Sequence, residues 1–122
     1  MGSFPTDADD ASLSREERTW LEAFDAYVTE HLADPTLSVP IMADFFHLSE
    51  STLLRKVKRY TGATPLQYLL TKRLHHAYQL LSQPPSRTVK EVGEAVGYLD
   101  PESFARRFKA YFGVPPSDVN PP

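Results

Sequence analysis

Cysteine is absent from all 122 residues. That excludes disulfides, thiolate metal sites and a cysteine nucleophile, and it fits a reducing, intracellular setting. Long apolar runs are missing as well. No stretch of eighteen hydrophobic residues exists, and the N-terminus lacks the basic-then-apolar layout of an export signal, so neither a membrane span nor secretion is indicated. Five glycines are too few to suggest a phosphate-cradling loop, and no Ser-His-Asp order or paired-carboxylate pattern stands out. Four histidines remain, of which His75 and His76 are adjacent and would point about 100° apart on a helix, while His31 and His47 lack carboxylates at ligand spacing. The expectation is no metal, no cofactor and no enzyme.

One further absence is local. Between Ser51 and Lys90 there is no Asp or Glu, whereas Arg55, Lys56, Lys58, Arg59, Lys72, Arg73, Arg87 and Lys90 all fall there. The formal net charge of −3 hides this asymmetry. Residues 1–50 carry eleven acidic and two basic side chains, net −9; residues 51–122 carry eleven basic and five acidic, net +6. A basic region beside an acidic arm suits a polyanionic partner.

Helical signals fill most of the chain. "MGSFPTDADDASLS" opens on what looks like an expression leader and reads, over residues 1–13, as a flexible acidic arm. Ser14 and Glu17 form a capping-box pattern ahead of Trp20, Leu21, Phe24, Val28 and Leu32, predicting a first helix from about Arg15 to Ala33. Ser38 can cap a second, with Met42, Ala43 and Phe46 inward; Ser49 can cap a third, with Leu53, Val57 and Tyr60 inward and Gly62 at its end. Thr64-Pro65 opens a long helix to about residue 82, with Leu66, Leu69, Leu70, Leu74, Ala77, Tyr78 and Leu81 as its apolar positions. Thr88 starts a fifth and Asp100-Pro101 a sixth, closed by Gly113, and "PPSDV" could begin a seventh. No period-2 stretch appears, so the fold class is all-α. Trp20, Phe24, Phe46, Phe104 and Phe108 are the aromatic core candidates.

The chain also repeats itself. "RKVKRYTGATP" from Arg55 is echoed by "RRFKAYFGVPP" from Arg106, 51 residues later. Upstream, Val39, Met42, Ala43, Phe46 and Leu48 match Val89, Val92, Gly93, Val96 and Tyr98 at an offset of 50, so the second copy holds one extra turn residue. Each copy is a short helix, a tight turn and a helix with an apolar inner and a basic outer face, the sequence form of a helix-turn-helix. His47 stands where Gly97 stands; if that position needs positive φ, His is among the few other residues that tolerate it. A rod from Leu66 to Leu81 spans about 24 Å. With the width of its flanking units it can hold two reading helices roughly 34 Å apart, one turn of DNA.

At these residues the chain resembles a family. "LADPTLSVPIMADFFHLSESTLLRKVKRYTGATPLQYLLTKRLHHAYQLL" with "TVKEVGEAVGYLDPESFARRFKAYFGVPPSDV" is similar to the DNA-binding domain of AraC/XylS-type transcription regulators, in the style of versions fused to two-component and hybrid sensor systems. The likeness covers about Leu21 to Val119. It implies a seven-helix double helix-turn-helix, with two three-helix subdomains joined by a linker helix, over residues 14–122. The first helix-turn-helix would occupy about 38–61, the linker about 65–82 and the second about 88–112.

The function implied is sequence-specific binding of double-stranded DNA as the output module of a bacterial, cytoplasmic regulator. RNA polymerase would be a partner, an N-terminal sensor or receiver domain would supply the input, and the isolated domain would be monomeric. The family's base-contacting positions carry over onto Ser51, Leu54 and Arg55 in the first copy and Glu102, Ala105 and Arg106 in the second. Arg55 could grip guanine N7 and O6 as a fork, Leu54 and Ala105 could touch thymine methyls, and Glu102 could accept from a cytosine amino group or cap the helix. Lys58, Arg59, Thr64, Thr88, Arg107 and Lys109 suit phosphates. The alkyl-transferring repair relatives of this fold need cysteine, so that activity is excluded.

Three features depart from the pattern. Gly93 stands where Ala is usual, Glu50 and Glu102 bring negative charge to both reading helices, and "DVNPP" replaces the aromatic-Arg ending. The alternative reading is a protein-interaction domain that kept the fold and lost specific DNA binding.

Overall fold

The computed structural model describes residues 13–119. Six α-helices follow in order: α1 (Arg15–His31), α2 (Val39–Phe45), α3 (Glu50–Thr61), α4 (Pro65–Ser82), α5 (Val89–Ala95) and α6 (Pro101–Phe112). There is no strand among the described residues. The expected arm lies outside them, except for Leu13. The expected seventh helix is a single 3-10 turn, Pro116–Asp118. Pro115 and Pro116 remove two backbone donors there, and Val119 is already extended at φ −88°, ψ 120°, so no helix propagates.

The helix ends follow from their side chains. Ser14 and Glu17 exchange the two bonds of a capping box at α1, of 3.0 and 3.1 Å. Thr64 and Gln67 do the same at α4, and Thr88 and Glu91 at α5. Ser38 is the N-cap residue of α2, but its hydroxyl makes no capping bond; Pro40 in the first turn already removes one amide that would need it. Gly62 and Gly113 end α3 and α6 at φ 80° and 84°.

The described chain divides into two compact units. Residues 13–31 and 36–70 form the first, and residues 32–35 with 71–119 the second, so the boundary falls inside α4 after Leu70. In the first unit Phe24, Val28, Met42, Leu53, Val57 and Leu69 are wholly buried. Burying each such side chain contributes on the order of 2 kcal/mol. The Tyr68 hydroxyl donates to Asp25, tying the start of α4 to α1. Trp20 and Phe46, expected in the core, are half-buried: Trp20 stacks on Phe24 at 5.5 Å and carries the Lys56 ammonium 4.4 Å above its outer face. Leu66 and Tyr78, counted as apolar positions of the long helix, are exposed.

In the second unit Val92, Val96, Phe104, Phe108 and Ala77 are wholly buried. Arg73 is buried there too. Its Nε donates to the Leu32 carbonyl and its Nη2 to that of Asp34, each at 2.8 Å. Burial lowers its pKa, opposed by Tyr98 and the Asp34 carboxylate. One of the eight cations in the acid-free stretch is therefore a structural clip, unavailable to a partner.

Candidate nucleic-acid interface

Each unit contains a short helix (α2, α5), a tight turn and a longer amphipathic helix (α3, α6). The turns pass through positive φ at equivalent places, His47 at 57° and Gly97 at 96°, as the repeat register requires. Histidine is accommodated because its side chain stands in solvent. Glycine is needed in the second copy: a methyl at position 97 would lie 2.5 Å from the Leu32 carbonyl oxygen and 2.9 Å from Arg73 Nε. Gly93 has a comparable reason. A Cβ there would meet Phe104 Cδ2 at 3.0 Å, whereas the first copy pairs Ala43 with the smaller Leu53 at the matching positions.

On α3, Ser51, Leu54, Arg55, Lys58 and Arg59 are exposed, opposite the buried Leu53, Val57 and Tyr60. On α6, Glu102, Arg106, Arg107 and Lys109 are exposed, and Ala105 is partly so, opposite Phe104 and Phe108. The structure thus places each set of candidate base-contacting residues on one face of one helix. Ser51 Oγ lies 3.3 Å from the cap hydroxyl of Ser49. Glu102 does not cap α6; Asp100 does, accepting from the amides of Glu102 and Ser103 at 3.3 Å each. Hydrogen bonds from Ser103 and from the Glu102 amide, with Arg106 contributing less, hold the Asp100 carboxyl below the usual carboxylate range.

The candidate phosphate-contacting groups divide. Arg59 is ion-paired with Glu17 of α1 at 3.1 Å. Thr64 and Thr88 use their hydroxyl oxygens to accept capping bonds. Lys58, Arg107 and Lys109 take part in no ion pair among the described residues.

Sequence reasoning missed one arrangement. In both copies the arginine donates to a hydroxyl three residues earlier: Arg55 Nη2 to Thr52 Oγ1 at 3.4 Å, and Arg106 Nη2 to Ser103 Oγ at 3.3 Å. The repeat register contained the signal, because Thr52 and Ser103 are themselves 51 residues apart.

A capped helix carrying exposed cations, set on a short helix through a positive-φ turn and built twice, defines a double helix-turn-helix protein. Residues 42–120 match the family described as "Helix-turn-helix domain", and the chain belongs to the AraC-type branch of it. It is 37% identical over 103 residues to the MmsAB operon regulatory protein of Pseudomonas aeruginosa, covering 84% of this chain and 33% of that protein. It is 42% identical over 82 residues to the uncharacterized HTH-type transcriptional regulator YidL of Escherichia coli K12, covering 67% of this chain and 27% of that protein. The chain thus spans about a third or less of these relatives. Among solved structures, the C-terminal domain of the two-component response regulator yesN from Fusobacterium nucleatum superposes with a TM-score of 0.78 at 26% identity, over 83% of this chain and 97% of that one. The DNA-binding domain of AdpA, solved in complex with a target DNA, gives 0.74 at 30% identity, over 80% of this chain and 86% of that one.

Proposed function

We propose that this chain binds specific sequences of double-stranded DNA as the output module of a bacterial, cytoplasmic transcription regulator, with α3 and α6 in successive major grooves. The observation that carries the reading is the exposed guanidinium at the same place on both helices, Arg55 and Arg106. In this reading Arg55 and Arg106 fork onto guanine, Ser51, Leu54, Glu102 and Ala105 complete the base contacts, and Lys58, Arg107 and Lys109 hold phosphates. Thr64 and Thr88 cap helices through their hydroxyl oxygens, and a hydroxyl that accepts can also donate, here to phosphate. RNA polymerase and an N-terminal sensor or receiver domain are the protein partners it would work with.

A second reading draws on Phe45 and Leu99, 57% and 81% exposed: a protein-interaction domain without specific DNA binding. The two part in one experiment. A duplex is selected from a random pool, and affinity is measured against salt. DNA binding predicts a slope of log affinity on log salt of about −0.9 per neutralised phosphate, several units in all. Arg55→Ala and Arg106→Ala should each cost about 1–3 kcal/mol on the selected duplex and flatten preference at one base pair. An undetectable, salt-independent signal would support the interaction domain. Equal losses on every duplex would demote the arginines to phosphate contacts.

A further inference from the structure

We propose that Thr52 and Ser103 are positioning residues for base reading: each lends a hydroxyl oxygen to the arginine one helical turn later and so aims Arg55 and Arg106 before a base pair is offered. The inference rests on the base-reading role proposed above for those arginines. Its geometric basis is the repetition. Two hydroxyls at matching positions hold two guanidinium groups through the same nitrogen, at 3.4 and 3.3 Å.

Those distances exceed the usual optimum for an N–H···O bond, so each hold is weak. Weakness suits the purpose. An arginine side chain loses much rotamer freedom when it binds, and a tether that restricts it beforehand reduces that loss. A weak tether also yields to a guanine edge, a better acceptor pair. The three-residue spacing fixes the direction, because on a helix residue i−3 is the neighbour over which the longer side chain leans.

Both hydroxyls are themselves anchored on the helix cap, with opposite polarity. In the first copy the Ser49 hydroxyl donates to Thr52 Oγ1 at 2.9 Å, so that oxygen receives two donors. In the second the Ser103 hydroxyl donates to Asp100 Oδ2 at 2.8 Å, and its oxygen then accepts from Arg106. Giving its proton to a carboxylate makes the Ser103 oxygen the stronger acceptor. The second tether is therefore the firmer of the two, and its removal should be felt more.

The test compares discrimination, not affinity alone, on duplexes selected by the unaltered chain and then varied one base pair at a time. Ser103→Ala should lower discrimination about three- to tenfold at the base pair that Arg106→Ala flattens, as partial loss of one arginine fork would. The salt slope should keep its value, since no phosphate contact goes. Ser103→Thr should restore discrimination, a rescue that a purely packing role would not give. Thr52→Val should cost about twofold at the base pair read by Arg55, and Thr52→Ser should recover it. Asp100→Asn, which keeps a capping oxygen and removes the charge behind the tether, should fall between Ser103→Ala and the unaltered chain.

Undiminished discrimination in Ser103→Ala, a loss spread evenly over all duplexes, or failure of Ser103→Thr to recover it would overturn the tether. If Arg106→Ala flattens a base pair and Ser103→Ala does not, only the tether falls. If the unaltered chain prefers no duplex at all, the DNA-reading function and the tether fall together.

Discussion

The two units solve one design problem with different parts. The first uses Ala43 under Leu53, a solvent-facing histidine in its turn and a serine cap; the second uses Gly93 under Phe104, a glycine in its turn and an aspartate cap. The first shields its aromatic cluster with Lys56 and pairs Arg59 with Glu17, while Arg107 and Lys109 of the second are in no ion pair among the described residues. The lesson is that a duplicated motif keeps its backbone requirement and its outward arginine, and lets each core find its own volume. Swapping parts between the units tests that claim.

The largest effect should come from the turn. Gly97→Ala puts a Cβ 2.5 Å from the Leu32 carbonyl oxygen at φ 96°. Left-handed strain of about 1–2 kcal/mol and a clash of about 1–3 kcal/mol should add, and Arg73 must give way with it. Chemical denaturation should show a loss of about 3 kcal/mol or more. The matching change His47→Gly should alter stability by under about 1 kcal/mol, because His47 is exposed and glycine relieves the same φ. Comparable losses in both would mean that the two turns share a constraint the structure does not show.

Next comes the exchange of core pairs. Gly93→Ala gains about 1 kcal/mol of helix propensity but drives a methyl to 3.0 Å from the Phe104 ring, which overpacking should make a net loss of about 1 kcal/mol. Phe104→Leu alone opens space and should cost about 2 kcal/mol. Together they recreate the Ala43–Leu53 pair, and a double-mutant cycle should give a favourable coupling of about 1 kcal/mol. Simple additivity would show that Gly93 is not there for the ring.

Why some of this was legible is physical. Periodicity, caps and glycines are local, so the six α-helices, the capping box at Ser14, the helix start at Thr88 and the positive φ of His47 could be read from residue order alone. What failed was long-range or depended on exposure. Arg73 reads as one more cation in a basic stretch, and only the approach of residues 32–35 shows it donating to two carbonyls. Trp20 reads as core, yet its outer face needs Lys56 to cover it. Leu66 and Tyr78 fall on the helical period but end up exposed, because α4 is covered along only part of its circumference. Arg59 and Glu17 lie 42 residues apart, and nothing local announces their pairing.

That ion pair gives a smaller, opposite-signed prediction. Glu17→Gln keeps the capping-box geometry with Ser14 while releasing Arg59. If the first unit's α3 faces phosphates, affinity for a random duplex at low salt should rise about two- to fivefold, and the salt slope should steepen by up to about 0.9, one added phosphate. No equivalent acid restrains Lys109 among the described residues, so the second unit has no comparable reserve. Unchanged affinity and slope would show that Arg59 lies off the DNA path.

The smallest effect separates the two caps by pH. Asp100 is held ionised by Ser103, the Glu102 amide and Arg106, so its carboxyl titrates below its ordinary 3.8. A folded-state value below the unfolded one means that the charge stabilises the fold above the unfolded value, and that this contribution disappears as pH falls through the folded one. Asp100→Asn retains a capping oxygen without the charge, so the unaltered chain should melt slightly higher at pH 7, and the gap should close as pH falls below the ordinary carboxylate range and through the lowered folded value. The serine cap of α3 has no such group, and Ser49→Asn should show a gap that does not move over that range. A gap at position 100 that persisted in acid would mean that Asp100 stabilises α6 by shape and hydrogen-bond geometry, and that the two caps differ in name more than in electrostatics.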